Sequence, residues 1–542
     1  MVKKRSIILF LLFIFALFLR TNELGRIGLS EDEARKILAT ESYRRSDFLA
    51  NAEHPMLLKS LATVCVAVAE KCGITPEAAV RFPAALAGSL IVLALYFLTK
   101  ELFGIEAGLI AAALWALDVS AVAYSRIAKE DTLLTLFFLL GNYFLLRGKR
   151  FHFSNDREAV KSYAACGAAF GAMFASKYFI PYIWFTLVYY DIFRFRQEPR
   201  WRIPWKWSWK LYAASIAVFL LLNPVVLNPG MWDYAWKYFT HRMSEHHGYW
   251  MMGKIYLNEA MRTYWGVPVY YFPLYFFVKT PILPLAAFLV GCVYTMRRIR
   301  EDAFLFLGLF FWIWLFLISL PGAKFARHVL TILPAVIMMQ TLGILLASAA
   351  ARSFFEKRGL QSLSRFLLIL IFALTLGWYA GLHWKYHPHQ SFYVSKQAGG
   401  QKRYGFYFPQ DEFYDAGLKE AIQFLSSHAS RGARVIGTTP AALEYYKGRY
   451  NRPDLQFVSM TDPHLMLKGD ANAYLILQEY RTYVENYYIF VFAHSQLRPL
   501  YTIDVLNEPS VVVSCLAQDP RFAKAPYWKG RHWPGALREL TQ

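Results

Sequence analysis

The sequence predicts a polytopic α-helical membrane protein that ends in a small α/β domain. Apolar residues make up 56% of its 542 residues and charged residues 18%, whereas soluble proteins average roughly 45–50% and about 25%. Apolar runs long enough to cross a hydrocarbon core of about 30 Å recur along the first two thirds of the chain. From residue 384 onward these runs give way to short strand-like and amphipathic segments.

About eleven apolar segments are predicted to span the membrane. They fall at residues 6–20, 82–99, 104–124, 131–147, 160–176, 178–193, 210–227, 267–295, 303–320, 325–349 and 364–383. The first segment follows Lys3, Lys4 and Arg5, and no small-residue cleavage site comes after it. It is therefore interpreted as a signal anchor that stays in the protein.

The formal net charge is +21, and its location decides what it means. Lysine and arginine concentrate in short gaps between apolar segments, at residues 3–5, 147–161, 194–210, 297–300 and 352–365. All of these gaps lie on one side of the membrane if the N-terminus is cytoplasmic, as the positive-inside rule requires. The charge thus indicates topology and contact with the lipid bilayer, and no nucleic-acid partner is predicted.

This topology gives the predicted domains. Residues 1–383 form a transmembrane domain in a plasma (inner) membrane, with external loops at 21–81 and 228–266. An odd number of spans places residues 384–542 outside, as an extracytoplasmic α/β domain. Loop 21–81 holds an apolar run of only about ten residues, which favours an interfacial or re-entrant helix over a span.

The tail alternates helical and strand patterns. "YDAGLKEAIQFLSSHAS" has the spacing of an amphipathic helix. "ARVIGTT", "LQFVSM", "NAYLILQ" and "SVVVSCL" predict short strands between turn-rich stretches.

The stretch "SEDE" opens the charged part of the first external loop. Ser30 and Glu33 have the spacing of a capping box, which places Asp32 and Glu33 in the first turn of a helix. The simplest interpretation is that the acids only start this helix, whose dipole favours them. An ionised carboxylate at a membrane surface could also act as a general base, and Asp32 is the residue predicted for that role.

The triplet "EHP" follows twenty-one residues after Asp32. Pro55 and the apolar run behind it indicate that Glu53 and His54 have a fixed orientation. The alternative is a solvated loop histidine.

Several cations fall near the predicted outer ends of helices, on the same side as Asp32. These are Arg126, Lys177, Lys279, Lys324 and Arg327. Cations that converge at one membrane face would suit a lipid phosphate, whose oxygens accept charge-assisted hydrogen bonds. Snorkelling to the interface is the alternative for each of them, and Asp131 is expected to pair with Arg126.

Loop 228–266 is rich in aromatic residues and contains Glu245, His246 and His247. An interfacial aromatic belt is the favoured interpretation. Three consecutive residues rarely present three ligands to one ion, so no metal site and no cofactor are predicted.

Two motifs of the first external loop resemble those of a known superfamily. "EDEARK" and "EHPMLLK" resemble the first external loop of the protein O-mannosyltransferases and of the lipid A aminoarabinose transferases, both C-type membrane glycosyltransferases. "DEAR" resembles the aminoarabinose branch and "HPMLLK" the mannosyl branch. Met56 stands in place of a second proline, and Lys36 in place of a tyrosine.

Further resemblances follow in order as far as residue 385. They are "RFPAALAGSLIVLALYFLTKELFG", "SRIAKEDTLLTLFFLLGNYFLL", "FASKYF", "PLYFFVKTPILPL" and "SLPGAKFARHVLTILP", the last with His328 in place of a tyrosine. The resemblance implies a polyprenyl-phosphate-linked sugar donor, a protein, glycan or lipid acceptor, and inverting displacement with Asp32 as base. Glu33, Glu53 and His54 would assist it. Residues expected to bind substrate are Arg35, Arg126, Asp131, Lys177, Lys279, Lys324 and Arg327.

Three alternatives remain open from the sequence. One is a non-catalytic membrane subunit that presents the tail domain. Within the enzyme class, the chain could transfer an amino sugar to a lipid instead of a sugar to a protein hydroxyl. It could also be a transporter or flippase of a lipid-linked sugar, but such proteins usually show internal repeats, and none stands out here.

Overall fold

A computed structural model of the chain describes most of its length. The described residues are 2–152, 154–178, 185, 187–194, 205–238, 240, 248–258, 262–358, 361–462, 472–483 and 485–516. These residues form a mostly helical body that carries a five-stranded sheet near its C-terminal end. This arrangement confirms the predicted class of a helical membrane part followed by a small α/β region.

Helices dominate the described chain from its first residue. The helices before the sheet are α1 (Val2–Thr21), α2 (Glu31–Arg44), α3 (Met56–Cys72), α4 (Pro76–Phe103), α5 (Ile105–Leu117), α6 (Val119–Ser125), α7 (Asp131–Phe151), α8 (Asp156–Ser176), α9 (Trp205–Leu222), α10 (Pro229–Lys237), α11 (Tyr271–Lys279), α12 (Ile282–Arg297), α13 (Asp302–Ser319), α14 (Leu333–Glu356) and α15 (Gln361–Tyr386). A π-helical stretch covers Leu187–Arg194, and a short hairpin joins β1 (Tyr249–Met251) to β2 (Lys254–Tyr256).

Within the described residues, α4, α13 and α14 are long and apolar enough to cross a membrane. The pair α5 and α6 passes the same test as one unit, although the two helices are bent by 58° at Asp118. The chain is therefore a multi-pass membrane protein, and the expectation of about eleven spans stays a prediction.

Two predicted spans are interrupted in the structure. The segment expected at 267–295 is divided at Thr280 and Pro281, because a proline disfavours helix at the preceding residue. The segment expected at 325–349 begins with a 3-10 turn, Ala326–Thr331, before α14 starts at Leu333. The predicted span at 178–193 lies partly outside the described residues.

Helix α3 occupies the apolar run for which an interfacial helix was expected, and its place relative to the membrane stays a prediction. It begins after Pro55 and ends at Gly73, whose φ of +67° suits a glycine at a helix C-terminus. Ala62 and Val66 are buried on one face, whereas Val64 is 63% exposed on the other. At 17 residues the helix is short for a span.

The C-terminal sheet has the strand order β4-β3-β5-β7-β6. Its elements are α16 (Pro409–Phe413), α17 (Leu418–His428), β3 (Arg434–Gly437), α18 (Pro440–Arg449), β4 (Gln456–Ser459), β5 (Ala473–Gln478), α19 (Tyr487–Gln496), β6 (Pro499–Val505) and β7 (Glu508–Cys515). Strands β4, β3 and β5 are parallel, whereas β7 is antiparallel to β5 and to β6. The four predicted strands and helix α17 are confirmed. The half-buried edge strand β6 was missed because its sequence lacks a continuous apolar run.

One apolar cluster joins the C-terminal domain to the segment between α1 and α4. Leu29, Ala34 and Ile37 around α2 belong to the same buried cluster as Leu418 and Ile422 of α17. Helix α2 is thus packed between α4 of the membrane part and the C-terminal domain, where its first turn meets both.

Candidate active site

Helix α2 starts as its sequence predicts. The side chain of Ser30 accepts a hydrogen bond from the backbone N–H of Glu33, and the Glu33 carboxylate accepts one from the backbone N–H of Ser30. This capping box fixes the first turn. Because successive side chains on a helix point about 100° apart, Glu31, Asp32 and Glu33 face three different surroundings.

Glu33 lies in a closed ion pair. Its carboxylate accepts hydrogen bonds from Arg81 Nε at 2.8 Å and Arg81 Nη2 at 2.7 Å, and from the backbone N–H of Ala128 at 2.9 Å. The side chain has no exposed surface. Burial alone would raise the pKa of Glu33, but the Arg81 guanidinium outweighs it and lowers that pKa.

Asp32 is the open acid of the three, with 41% of its side chain exposed. Its Oδ2 atom forms an ion pair with Lys129, and Arg327 Nη2 lies 3.8 Å from the same oxygen. Burial would raise the pKa of Asp32, but Lys129 and Arg327 hold that pKa well below its usual value. The carboxylate is therefore ionised at neutral pH.

Arg327 links Asp32 to a second carboxylate. Its Nε atom lies 3.9 Å from Asp131 Oδ2, and its guanidinium lies over the Phe325 ring at 4.3 Å. Asp131 accepts a hydrogen bond from Lys177 Nζ at 2.7 Å. The expected pairing of Asp131 with Arg126 is therefore wrong, and Lys177 is its partner.

A second group of charges lies beneath Asp32. Lys36 and Glu130 form a buried ion pair at 2.6 Å, and His54 Nδ1 lies 3.9 Å from Glu130 Oε1. Burial and the positive charge of Lys36 lower the pKa of His54 to about 3. The negative charge of Glu130 acts in the opposite direction but is the weaker influence. His54 is thus a neutral imidazole beside the site.

The turn that carries Glu53 and His54 has a fixed shape, as predicted. Lys59 Nζ donates hydrogen bonds to the carbonyls of Ala50 and His54. Glu53 accepts hydrogen bonds from the Asn51 amide at 2.6 Å and from the Tyr234 hydroxyl. Glu53 therefore faces α10, which carries Tyr234.

Three of the expected phosphate ligands have other partners. Arg126 donates to the carbonyls of Leu19, Asn22 and Glu23 at the end of α1, where helix carbonyls lack internal partners. The structure therefore does not join Arg126 to the group around Asp32.

Lys279 and Lys324 are likewise bonded elsewhere. Lys279 pairs with Glu412 at 2.6 Å, and Lys324 donates to the carbonyls of Val267 and Pro321. Arg35 pairs with Glu31 at 3.2 Å on the half-exposed side of α2. Of the cations expected from the sequence, only Lys177 and Arg327 are shown in ion pairs with Asp32 or Asp131 among the described residues.

Four charged residues of the site were not selected from the sequence. Lys129 and Glu130 stand in "AKED", directly before Asp131, so their position next to that residue was an available signal. No such signal marks Lys36 or Arg81 in the sequence. Their place in the site becomes visible only from the carboxylates that they contact in the folded protein.

Glu245, His246 and His247 lie outside the described residues. Among the residues that the structure describes, no three histidine, cysteine, aspartate or glutamate side chains are placed to hold a metal ion.

The chain resembles known proteins in part of its sequence and in its fold. A family model described as dolichyl-phosphate-mannose-protein mannosyltransferase matches residues 53–227, which include His54, Lys129, Asp131 and Lys177. No curated protein matches the chain by sequence.

Solved structures match over nearly the whole chain. ArnT from Cupriavidus metallidurans in the apo state has a TM-score of 0.53 and 15% identity, covering 97% of this chain and 99% of that one. The same protein bound to undecaprenyl phosphate gives 0.51 and 14%, with the same coverage. The archaeal oligosaccharyltransferase AglB from Archaeoglobus fulgidus, in complex with an inhibitory peptide and a dolichol-phosphate, gives 0.51 and 10%, covering 96% and 75%.

The chain thus shares its fold with ArnT and AglB, and part of its sequence matches the mannosyltransferase model. The resemblance found in the sequence is confirmed at this level. In this fold Asp32, at the start of α2, lies next to Lys129 and Arg327.

Proposed function

We propose that the chain is a polyprenyl-phosphate-sugar-dependent glycosyltransferase that acts at the outer face of the membrane. The observation that carries this proposal is the half-exposed, ionised Asp32 between Lys129 and Arg327 in a C-type fold. A half-exposed carboxylate next to two largely buried cations matches the two needs of the reaction, a proton acceptor and positive charge for a phosphate.

The reaction is an in-line displacement at the anomeric carbon of the donor. The acceptor oxygen or nitrogen forms a bond to that carbon while the bond from the carbon to the phosphate oxygen breaks, so the configuration inverts. The proton of the acceptor passes to Asp32, and the electron pair leaves with the lipid phosphate. Lys129 and Arg327 stabilise the charge that develops on the leaving phosphate.

Binding of the donor would also change Asp32. In the free protein both cations hold its pKa low, which makes the carboxylate a weak base. A phosphate would compete for Lys129 and Arg327, so the pKa of Asp32 would rise toward values that suit proton transfer. The base would thus be strongest when the donor is in place.

The other expected residues take roles that their contacts favour. His54 and Glu53 border the site from the turn before α3, where they would position the acceptor. Lys177 holds Asp131, which in turn holds Arg327. Glu33 forms a buried ion pair with Arg81, which favours a structural role for it. Lys279 forms a buried ion pair with Glu412, so the same role is favoured for Lys279.

The test is a transfer assay in proteoliposomes, with radiolabelled polyprenyl-phosphate sugars as donors and membrane extract as acceptor. Asp32→Asn keeps the shape of the side chain and removes its charge, and we expect a loss of about 10²–10⁴-fold in transfer. Glu41→Gln is the matched control, because it removes an exposed acid from the same helix. We expect the control to transfer at the rate of the wild type.

The same assay separates the remaining candidates. Label in protein would identify a mannosyltransferase-like enzyme, the class named by the family model. Label in lipid would identify amino-sugar transfer, as in the aminoarabinose transferases. Equal transfer by Asp32→Asn and wild type would contradict the role of Asp32, and movement of labelled donor across the bilayer without transfer would favour a transporter.

A further inference from the structure

A five-residue segment of the C-terminal domain contacts both halves of the site. Asp411, in α16, accepts a hydrogen bond from the backbone N–H of Ala326 at 3.0 Å. Asp415, just after α16, accepts one from the backbone N–H of Glu31 at 2.9 Å. Ala326 directly precedes Arg327, and Glu31 directly precedes Asp32, so the two carboxylates hold the chain next to the two central residues.

Asp411 forms further hydrogen bonds that fix its carboxylate. Asp411 also accepts hydrogen bonds from the hydroxyls of Tyr271, at 3.0 Å, and Tyr249. Both carboxylates are buried. The segment from Asp411 to Asp415 therefore sets the spacing of Arg327 and Asp32.

The partners of Asp415 come from the C-terminal domain. Its Oδ1 atom accepts hydrogen bonds from Gln478 Nε2 at 2.8 Å, and Arg481 Nε lies 2.7 Å from the same atom. The carboxylate thus connects the start of α2 to the end of strand β5.

Tyr414 lies between these two anchors in an unusual conformation. Its φ is +43° and that of Asp415 is +62°. Bulky residues rarely adopt the left-handed region, and residues held there cluster at functional sites. The two anchors hold the backbone on either side of Tyr414, and Asp32 and Arg327 are charged neighbours of its side chain.

The hydroxyl of Tyr414 is buried, and Ser30 is within its reach. No hydrogen bond of normal geometry to it occurs in the part of the chain that the structure describes. Buried hydroxyls are usually paired, so an unpaired one calls for an explanation. Burial and the charge of Asp32 raise the pKa of Tyr414 well above its usual value, so the hydroxyl keeps its proton as a donor.

We infer that Tyr414 is a further substrate-contacting residue, whose hydroxyl donates a hydrogen bond to an oxygen of the donor phosphate held by Arg327. Arg327 is a charged neighbour of this hydroxyl. A phosphate that accepts hydrogen bonds from a guanidinium through two of its oxygens can accept another through a further oxygen. Asp411 and Asp415 are positioning residues for this contact. The inference rests on the proposed function and adds a residue from the C-terminal domain to its site.

The test compares Tyr414→Phe with wild type in two measurements on the full-length protein. The first is the affinity for undecaprenyl phosphate in detergent, and the second is kcat and KM for the sugar donor. A hydrogen bond to a charged group contributes roughly 1.5–3 kcal/mol, so we expect both affinity and kcat/KM to fall by about tenfold or more. The unfolding temperature should stay close to that of the wild type, because this hydroxyl makes no hydrogen bond of normal geometry among the described residues.

Tyr407→Phe is the matched control. The hydroxyl of Tyr407 comes from the same part of the chain and donates to the carbonyl of Ala398 at 3.0 Å. Its removal should leave affinity and kcat/KM at wild-type values.

The outcomes separate this inference from the proposed function. Wild-type affinity and kcat/KM in Tyr414→Phe, while the wild type transfers sugar, would overturn the inference alone. A lower unfolding temperature in Tyr414→Phe would also overturn it, since the hydroxyl would then be structural. If the wild type transfers no sugar, the affinity measurement still decides whether Tyr414 contacts the phosphate.

Discussion

Asp32 and Glu33 are neighbours in sequence, yet the fold gives them opposite surroundings. Glu33 has no exposed surface and is matched by Arg81 through two hydrogen bonds. Asp32 is 41% exposed and pairs with Lys129 and with Arg327, which also lies near Asp131. The difference indicates that the Glu33 carboxylate stabilises the fold, whereas the cations that pair with Asp32 could bind a ligand instead.

The distinction also depends on the type of cation. Arg81 stays charged at every pH at which the protein is folded, so its pair with Glu33 cannot relax by losing a proton. Burial lowers the pKa of Lys129 to about 8, although Asp32 opposes this. Lys129 can therefore become neutral when its surroundings change.

The largest expected effect is on stability. Glu33→Gln should lower the free energy of unfolding by about 3–5 kcal/mol, because it leaves the Arg81 charge buried without a partner. Asp32→Asn should lower it by less, because Lys129 can release its proton. Thermal or denaturant unfolding in detergent measures both. Equal losses in the two variants would contradict the distinction between the closed and the open carboxylate.

The next effect concerns the second cation of the open site. Arg327→Lys keeps the charge but loses the planar group that reaches both Asp32 and Asp131. We expect transfer to fall by about 10–100-fold, in line with a loss of roughly 1.5–3 kcal/mol of charged hydrogen bonding. Arg358→Lys, at an exposed position just after α14, provides the control. Wild-type kinetics in Arg327→Lys would remove the guanidinium from the mechanism.

The smallest effect is a pH dependence. The pKa of Asp32 lies well below its usual value, so the carboxylate stays ionised as the pH falls from 7 toward 5. The pKa of Lys129 is about 8, so its charge is present below that pH and is lost above it. We expect kcat/KM to be flat on the acid side and to fall by a few-fold above about pH 8.

Lys129→Arg sharpens this measurement. Arginine keeps its proton across the whole range, so the fall above pH 8 should disappear in the variant. An unchanged alkaline limb would assign it to a group other than Lys129.

The sequence predicted the fold class and the local start of the site for physical reasons that act over short distances. Apolar runs and the side on which lysines and arginines fall depend only on bilayer thickness and charge. The capping box at Ser30 and Glu33 was predicted from a spacing of three residues, and the structure contains it. Strands β3, β4, β5 and β7 were likewise found from short apolar runs.

The sequence was less informative about which charges meet. Arg126, Lys279 and Lys324 have the same local pattern as Arg327, a cation near a helix end. Only their contacts show that they bond to carbonyls or to Glu412 instead of Asp32. The breaks at Asp118 and Thr280 were also missed, because an apolar run does not show where a helix bends.

By itself, the sequence determined a helical membrane protein with an α/β tail and a capped helix that begins with three acids. The tertiary structure alone decided which acid is open, because that depends on Arg81, Lys129 and Arg327, which lie 48, 97 and 295 positions beyond Glu33 or Asp32. It also decided that Tyr414 and Asp415 of the tail lie at this site. An ion pair is set by distance in space, and only packing brings such distant positions together.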